Sequence, residues 1–141
     1  MRFLLVEDDA ALREMIMEAL LDFLPDCEID TADSADEIAP TMMSQALNPK
    51  FHYDLIISDV TLQGSMTGFD LWKVTETQFP HTEFLFISGI STLQFLEKTQ
   101  GSQRLPVYLA KPFLIEELIR IVSELLHLNP SQTDNQEDEN P

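Results

Sequence analysis

The chain has 141 residues, with 25 acidic side chains against 8 basic ones and a formal net charge of −17. That length suits one domain whose core needs no disulfide or metal staple, and a single cysteine, Cys27, excludes an internal disulfide and fits a reducing compartment. So acidic a surface repels phosphate backbones, which argues against nucleic acid as a partner, and no apolar run approaches a signal peptide or a membrane span, so neither membrane contact nor export is expected and the cytoplasm is the expected location.

Residues 3–6 form a continuous apolar run, the signature of a strand buried on both faces. Residues 10–23 follow with Leu12, Ile16, Leu20 and Phe23 at steps of three and four, which predicts a helix, with Asp9 as its N-cap. Residues 28–32 alternate as an edge strand would. A helix is expected over 35–47, where Pro40 implies a late start or a kink. Leu55-Ile56-Ile57 is the third apolar run, and the helix over 68–79 that follows is closed by Pro80. Residues 84–87 form the fourth run, before a short helix over 91–99. Residues 107–110 form the fifth, before a last helix that starts near Pro112 and ends before Pro130. Its apolar residues Ile115, Ile119 and Leu126 suit either a partner surface or a broad core stripe. Residues 129–141 contain no aliphatic or aromatic side chain; they are expected to be a disordered acidic tail after a domain spanning 1–128, with no output module behind it.

Fivefold alternation of strand and helix predicts an α/β fold, a doubly wound parallel sheet with helices on both faces. In such sheets ligands sit beyond the carboxyl ends of the strands. Those positions hold Glu7, Asp8 and Asp9 after the first strand, Asp59 after the third, Ser88-Gly89 after the fourth and Lys111-Pro112 after the fifth. Clustered carboxylates repel, by about 4 kcal/mol per pair at 4 Å and an effective dielectric of 20. A divalent cation removes that cost, and oxygen-only ligands favour Mg²⁺, with Mn²⁺ as a substitute. One carboxylate can then act as nucleophile toward phosphorus, with Lys111 and the metal holding the charge on the transferred group and Ser88 bonding a remaining oxygen.

These residues carry a resemblance. Over residues 1 to about 127 the chain resembles the receiver domain of bacterial response regulators, in the order and spacing of Glu7-Asp8, Asp59, Ser88-Gly89 and Lys111-Pro112-Phe113. The resemblance implies a flavodoxin-like sheet of order 2-1-3-4-5 with five helices. It implies that Asp59 is the phosphoacceptor, that Asp8 binds Mg²⁺ directly, that Glu7 does so through water, and that the Thr61 backbone carbonyl completes the metal site. Ser88 would be the switch hydroxyl, Lys111 the contact to the phosphoryl group, and Tyr108 the aromatic residue that changes rotamer on activation. The implied partners are a sensor histidine kinase or phosphotransfer protein, and a downstream protein or a second copy meeting the face of helix 4, strand 5 and helix 5. Such a protein is no ordinary enzyme; Mg-dependent self-phosphorylation and self-dephosphorylation are the most it would catalyse.

One stretch departs from the pattern. Family members often carry Met-Pro soon after the phosphoacceptor, whereas Thr61-Leu62-Gln63-Gly64-Ser65-Met66-Thr67-Gly68 lacks that proline and is one residue longer. Thr61 and Ile90, which flank the site, are the residues expected to tune phosphoryl lifetime. Each residue alone has a plainer reading: Asp59 a helix cap, Ser88-Gly89 a turn, Lys111 a surface lysine, Tyr108 packing. A phosphatase or phosphomutase using an aspartyl phosphate would typically need an acid two residues after the nucleophile, where Thr61 stands. The alternative is a receiver-like module that binds proteins without phosphorylation, but no acid of the set, nor the lysine, has been lost. His52, His81 and His127 share no metal-binding spacing and are expected at the surface, and Cys27 is expected to be inert.

Overall fold

The computed structural model describes residues 1–100 and 105–128. The expected tail at 129–141 lies outside the described residues. Strands β1 (Arg2–Val6), β2 (Glu28–Ala32), β3 (Leu55–Asp59), β4 (Glu83–Ser88) and β5 (Val107–Ala110) alternate with helices α1 (Ala10–Phe23), α2 (Ala35–Gln45), α3 (Gly68–Gln78), α4 (Thr92–Lys98) and α5 (Ile115–Leu125). All strand pairings are parallel, and the sheet order is β2-β1-β3-β4-β5.

Burial follows that order. β3 is buried at every residue and β1 and β4 at all but their first, whereas β2 is buried only at Ala32 and β5 only at Leu109. Central strands of a parallel sheet are covered on both faces and edge strands less completely, so β2 and β5 are the least buried. Successive side chains then serve opposite layers. Leu4, Val6, Ile56 and Phe86 pack with Ala35, Met42, Leu71, Trp72 and Phe95 from α2, α3 and α4. Phe3, Leu5, Ile57, Leu85 and Ile87 pack with Ile16, Leu20, Leu118 and Val122 from α1 and α5.

Helix termini largely follow local chemistry. The Asp9 carboxylate accepts N–H groups of Ala11 and Leu12, as an N-cap does. Ser34, Thr67 and Ser91 cap α2, α3 and α4 in the same way. Two expectations need correction. α2 starts at Ala35, with no delay, and runs through Pro40 to Gln45, because the Ser34 cap and core burial of Ala35, Ala39 and Met42 hold it across the missing N–H. α5 starts at Ile115 rather than near Pro112, with the Glu117 carboxylate reaching back to the Leu114 N–H at 3.2 Å; Pro112 follows a cis peptide bond and precedes the helix. Ile119 of α5 and Leu126 at its C-cap pack against the core cluster, as a core stripe does, whereas Ile115 is not part of that cluster. His52, His81 and His127 are exposed, and Cys27 is buried with its thiol pushed up by burial.

Candidate functional site

Strand register places the chemistry. Val6 lies beside Ser58, Asp59 beside Ile87, and Ser88 beside Ala110. The residues just past β1 and β5, and the last residues of β3 and β4, therefore meet at one sheet edge.

At that edge the Lys111 Nζ lies 2.6 Å from Asp59 Oδ2 and 3.1 Å from Glu7 Oε2. Glu7 is 1% exposed and Asp59 7%, so both carboxylates depend on protein partners. Glu7, Asp8 and Asp59 each offer an oxygen within 4.8 Å of the other two, with Asp8 exposed to solvent. Burial pushes the Glu7 carboxyl above its ordinary range, against the pull of Lys111. Burial pulls the Lys111 ammonium down, but its contacts with Asp59 and then Glu7 outweigh this and hold it charged.

Thr61 begins the segment after β3, and its N–H donates to Asp59 Oδ1 at 3.0 Å. One Asp59 oxygen thus faces Lys111 and the other is fixed by the backbone. The Ser88 hydroxyl, buried, accepts the Ile90 N–H at 3.4 Å. Its carbonyl accepts the Lys111 N–H at 2.8 Å, which ties the end of β4 to the lysine. The Tyr108 hydroxyl donates to the Ser88 carbonyl at 3.1 Å and also to the Ile90 carbonyl, while its ring stacks on Phe95 of α4 with centroids 4.4 Å apart. All seven candidates from the sequence lie at this edge or within one hydrogen bond of a residue that does.

Two residues escaped sequence reasoning. Arg13 of α1 donates to the Glu7 carbonyl at 2.7 Å and pairs with Asp33 at 2.6 Å, fastening the acidic turn to the loop after β2. Asp36 of α2 binds the segment after β3. Their spacing along the chain carries no signal, since their partners lie 20 and 29 positions away.

The metal that such a site implies can be tested against the donors. Three carboxylates and one ammonium leave a formal charge of −2. That residue of charge and an all-oxygen donor set fit a hard divalent cation. The fit is therefore good.

A parallel 2-1-3-4-5 sheet with acids, a hydroxyl and an ammonium at one carboxyl edge defines a receiver-type α/β protein. The model of the response regulator receiver domain matches residues 3–123, and the chain belongs to that family. Response regulator protein FleR of Pseudomonas aeruginosa is 33% identical over 122 residues, which are 86% of this chain and 24% of FleR; the chain thus spans about a quarter of that relative's length. The chemotaxis response regulator CheY4 of Vibrio cholerae is similar in structure, with a TM-score of 0.69, 28% identity, and coverage of 89% of this chain and 98% of that one. A response regulator receiver protein from Sinorhizobium medicae, at 22% identity, shares the fold with a TM-score of 0.74 over 89% and 94% of the two chains. Among the described residues no helix is long and apolar enough to cross a membrane.

Proposed function

We propose that Asp59 accepts a phosphoryl group from a phosphohistidine on a sensor kinase or phosphotransfer protein. The observation that carries this reading is the Lys111 ammonium held between Asp59 and Glu7, beside Asp8, at the strand edge. In the transfer, an Asp59 carboxylate oxygen forms a bond to phosphorus as the bond to the imidazole nitrogen breaks. The electron pair stays on that nitrogen, and Asp59 becomes an acyl phosphate. Asp8, Asp59 and the Thr61 carbonyl would hold Mg²⁺ directly and Glu7 through water, and the bound cation would supply charge neutralisation to the transferred group. Lys111 bonds a phosphoryl oxygen, exchanging its contact with Asp59 for one with the new dianion.

The switch follows from what the new charge attracts. The Ser88 hydroxyl, now accepting only a long bond from Ile90, turns to donate to a phosphoryl oxygen. Ser88 and Ile90 also hold the Tyr108 hydroxyl through their carbonyls, and Tyr108 stacks on α4. Movement at Ser88 thereby shifts the α4–β5–α5 face. Leu93 and Leu96 are exposed there at 67% and 46%, a surface that a downstream protein or a second copy would cover. The retained acids and lysine weigh against a module that works without phosphorylation.

The test is an intact-mass measurement after incubation with Mg²⁺ and acetyl phosphate. The wild type should gain one phosphoryl group and Asp59→Asn none. Equal labelling of Asp59→Asn would remove Asp59 from the reaction.

A further inference from the structure

The segment joining β3 to α3 is fastened at its base by the core. Leu62 is buried, Met66 packs against the same cluster, and the Gly68 N–H donates to the Val60 carbonyl at 3.0 Å. Gly68 also approaches the phosphoacceptor's backbone so closely that a Cβ there would lie 2.1 Å from the Asp59 carbonyl oxygen. At the other end Thr61 bonds the Asp59 side chain. Both ends of the segment thus touch Asp59.

The tip is held from a different element. Asp36, in the first turn of α2, accepts the Ser65 N–H on Oδ2 at 2.7 Å and the Met66 N–H on Oδ1 at 2.9 Å. The Ser65 hydroxyl adds contacts at 3.2 and 3.3 Å. Charge-assisted bonds to backbone N–H groups are among the stronger hydrogen bonds in proteins. Gly64 makes this approach possible: its φ is +101°, and a Cβ there would sit 2.1 Å from Asp36 Oδ2. Asp36 is not spent on its own helix, because Ser34 caps α2 and Glu37 binds the Asp33 N–H. Its hydrogen bonds run to a segment 29 and 30 positions away.

We propose that Asp36 is a positioning residue for phosphoryl transfer. By gripping the tip of segment 61–67 it fixes Thr61, and through Thr61 the Asp59 rotamer and the backbone carbonyl assigned to the metal. This rests on the reading of Asp59 as phosphoacceptor. The latch also accounts for the longer segment: without the family's proline to stiffen it, the tip is held by a carboxylate from α2.

The experiment compares wild type, Asp36→Ala, Asp36→Asn, Gly64→Ala and the Asp36→Ala/Gly64→Ala double variant. Amide hydrogen exchange is followed on metal-free protein, then Mg²⁺ affinity, then the rate of labelling by acetyl phosphate. In Asp36→Ala, the Ser65 and Met66 amides should exchange about tenfold faster once their acceptor is gone. The Thr61 amide, which does not touch Asp36, should speed up about threefold, with Mg²⁺ affinity and labelling rate each falling roughly threefold to fivefold. Asp36→Asn keeps one carbonyl acceptor and should fall between. Gly64→Ala should act in the same direction, and the double variant should lose less than the product of the single effects, because the clash has lost its partner. Faster exchange at Ser65 and Met66 with unchanged Thr61 exchange and labelling would overturn the proposal and leave Asp36 a local staple. If wild type takes no phosphoryl group, the phosphoacceptor reading fails, while Thr61 exchange still decides whether the latch reaches Asp59.

Discussion

Replacing Lys111 with methionine tests the electrostatic core of the site. Methionine keeps an unbranched stem of similar length and removes the ammonium. Contacts of 2.6 Å to Asp59 and 3.1 Å to Glu7 correspond to about 6 and about 5 kcal/mol of attraction at an effective dielectric of 20. Most of that is cancelled by the cost of desolvating the ions. What decides the sign is the state left behind: Glu7 and Asp59 remain buried and face each other without a counter-charge. Removing one partner of a buried pair typically costs 3–5 kcal/mol. The Lys111 side chain is 24% exposed, so water softens the loss, and about 2–3 kcal/mol is expected at neutral pH. With a urea slope of about 1.5 kcal/mol/M, the unfolding midpoint should fall by roughly 1.3–2 M. Urea titration in the presence of a chelator measures it, with fluorescence of Trp72, the only tryptophan and 5% exposed, as the probe. Saturating Mg²⁺ should recover much of the difference by neutralising the same carboxylates. A variant as stable as wild type in chelator would refute the reasoning, since the carboxylates would then not depend on the lysine.

Other perturbations separate the parts. Tyr108→Phe keeps the stack on Phe95 and loses the hydroxyl's bonds to the Ser88 and Ile90 carbonyls; it should cost about 1 kcal/mol in thermal unfolding and leave Asp59 labelling intact. Arg13→Met should lower stability by about 1–2 kcal/mol, because the Glu7 carbonyl loses its guanidinium donor; an unchanged urea midpoint would show that bond to be dispensable. The Asp36 carboxyl is held below its ordinary value, first by the Ser65 N–H. A depressed carboxyl contributes stability above its unfolded pKa of 3.8 and loses it as pH falls through the lower folded value. The stability gap between wild type and Asp36→Asn should therefore be present at pH 6 and close below pH 3.8; a gap that persists in acid would mean that the contact does not depend on charge.

The strand pattern was legible because burial on both faces leaves β1, β3 and β4 with continuous apolar runs (Phe3–Val6, Leu55–Ile57 and Phe84–Ile87), polar residues falling at the strand ends, and the weak alternation of Glu28–Ala32 marked it as an edge. The positions of Glu7, Asp8, Asp59, Ser88 and Lys111 followed from the same runs, since a parallel sheet delivers the residues after its strands to one side. Helix boundaries were less legible. Proline rules describe the cost at Pro40, but they do not weigh it against burial of Ala39 and Met42, and Pro112 looked like a first-turn residue until the backbone put it in the loop before α5. Arg13 and Asp36 could not be found at all, because a polar side chain bound across loops, Arg13 to the Glu7 carbonyl and the Asp33 carboxylate and Asp36 to the Met66 N–H, leaves no periodicity.

The fastening of the sheet is uneven, and the unevenness has a thermodynamic consequence. α4 buries one large apolar side chain, Phe95, and β5 is a four-residue edge strand buried only at Leu109. β1 and β3 are clamped from both layers. Opening of the α4–β5 edge therefore costs a fraction of global unfolding, whereas β1 and β3 release only with the whole fold. The domain thus pairs a rigid centre that holds the acids with a more cheaply displaced margin. On the proposed reading, a change in charge at Asp59 would redistribute conformers at this margin while Glu7, Asp8 and Asp59, carried by β1 and β3, stay in register.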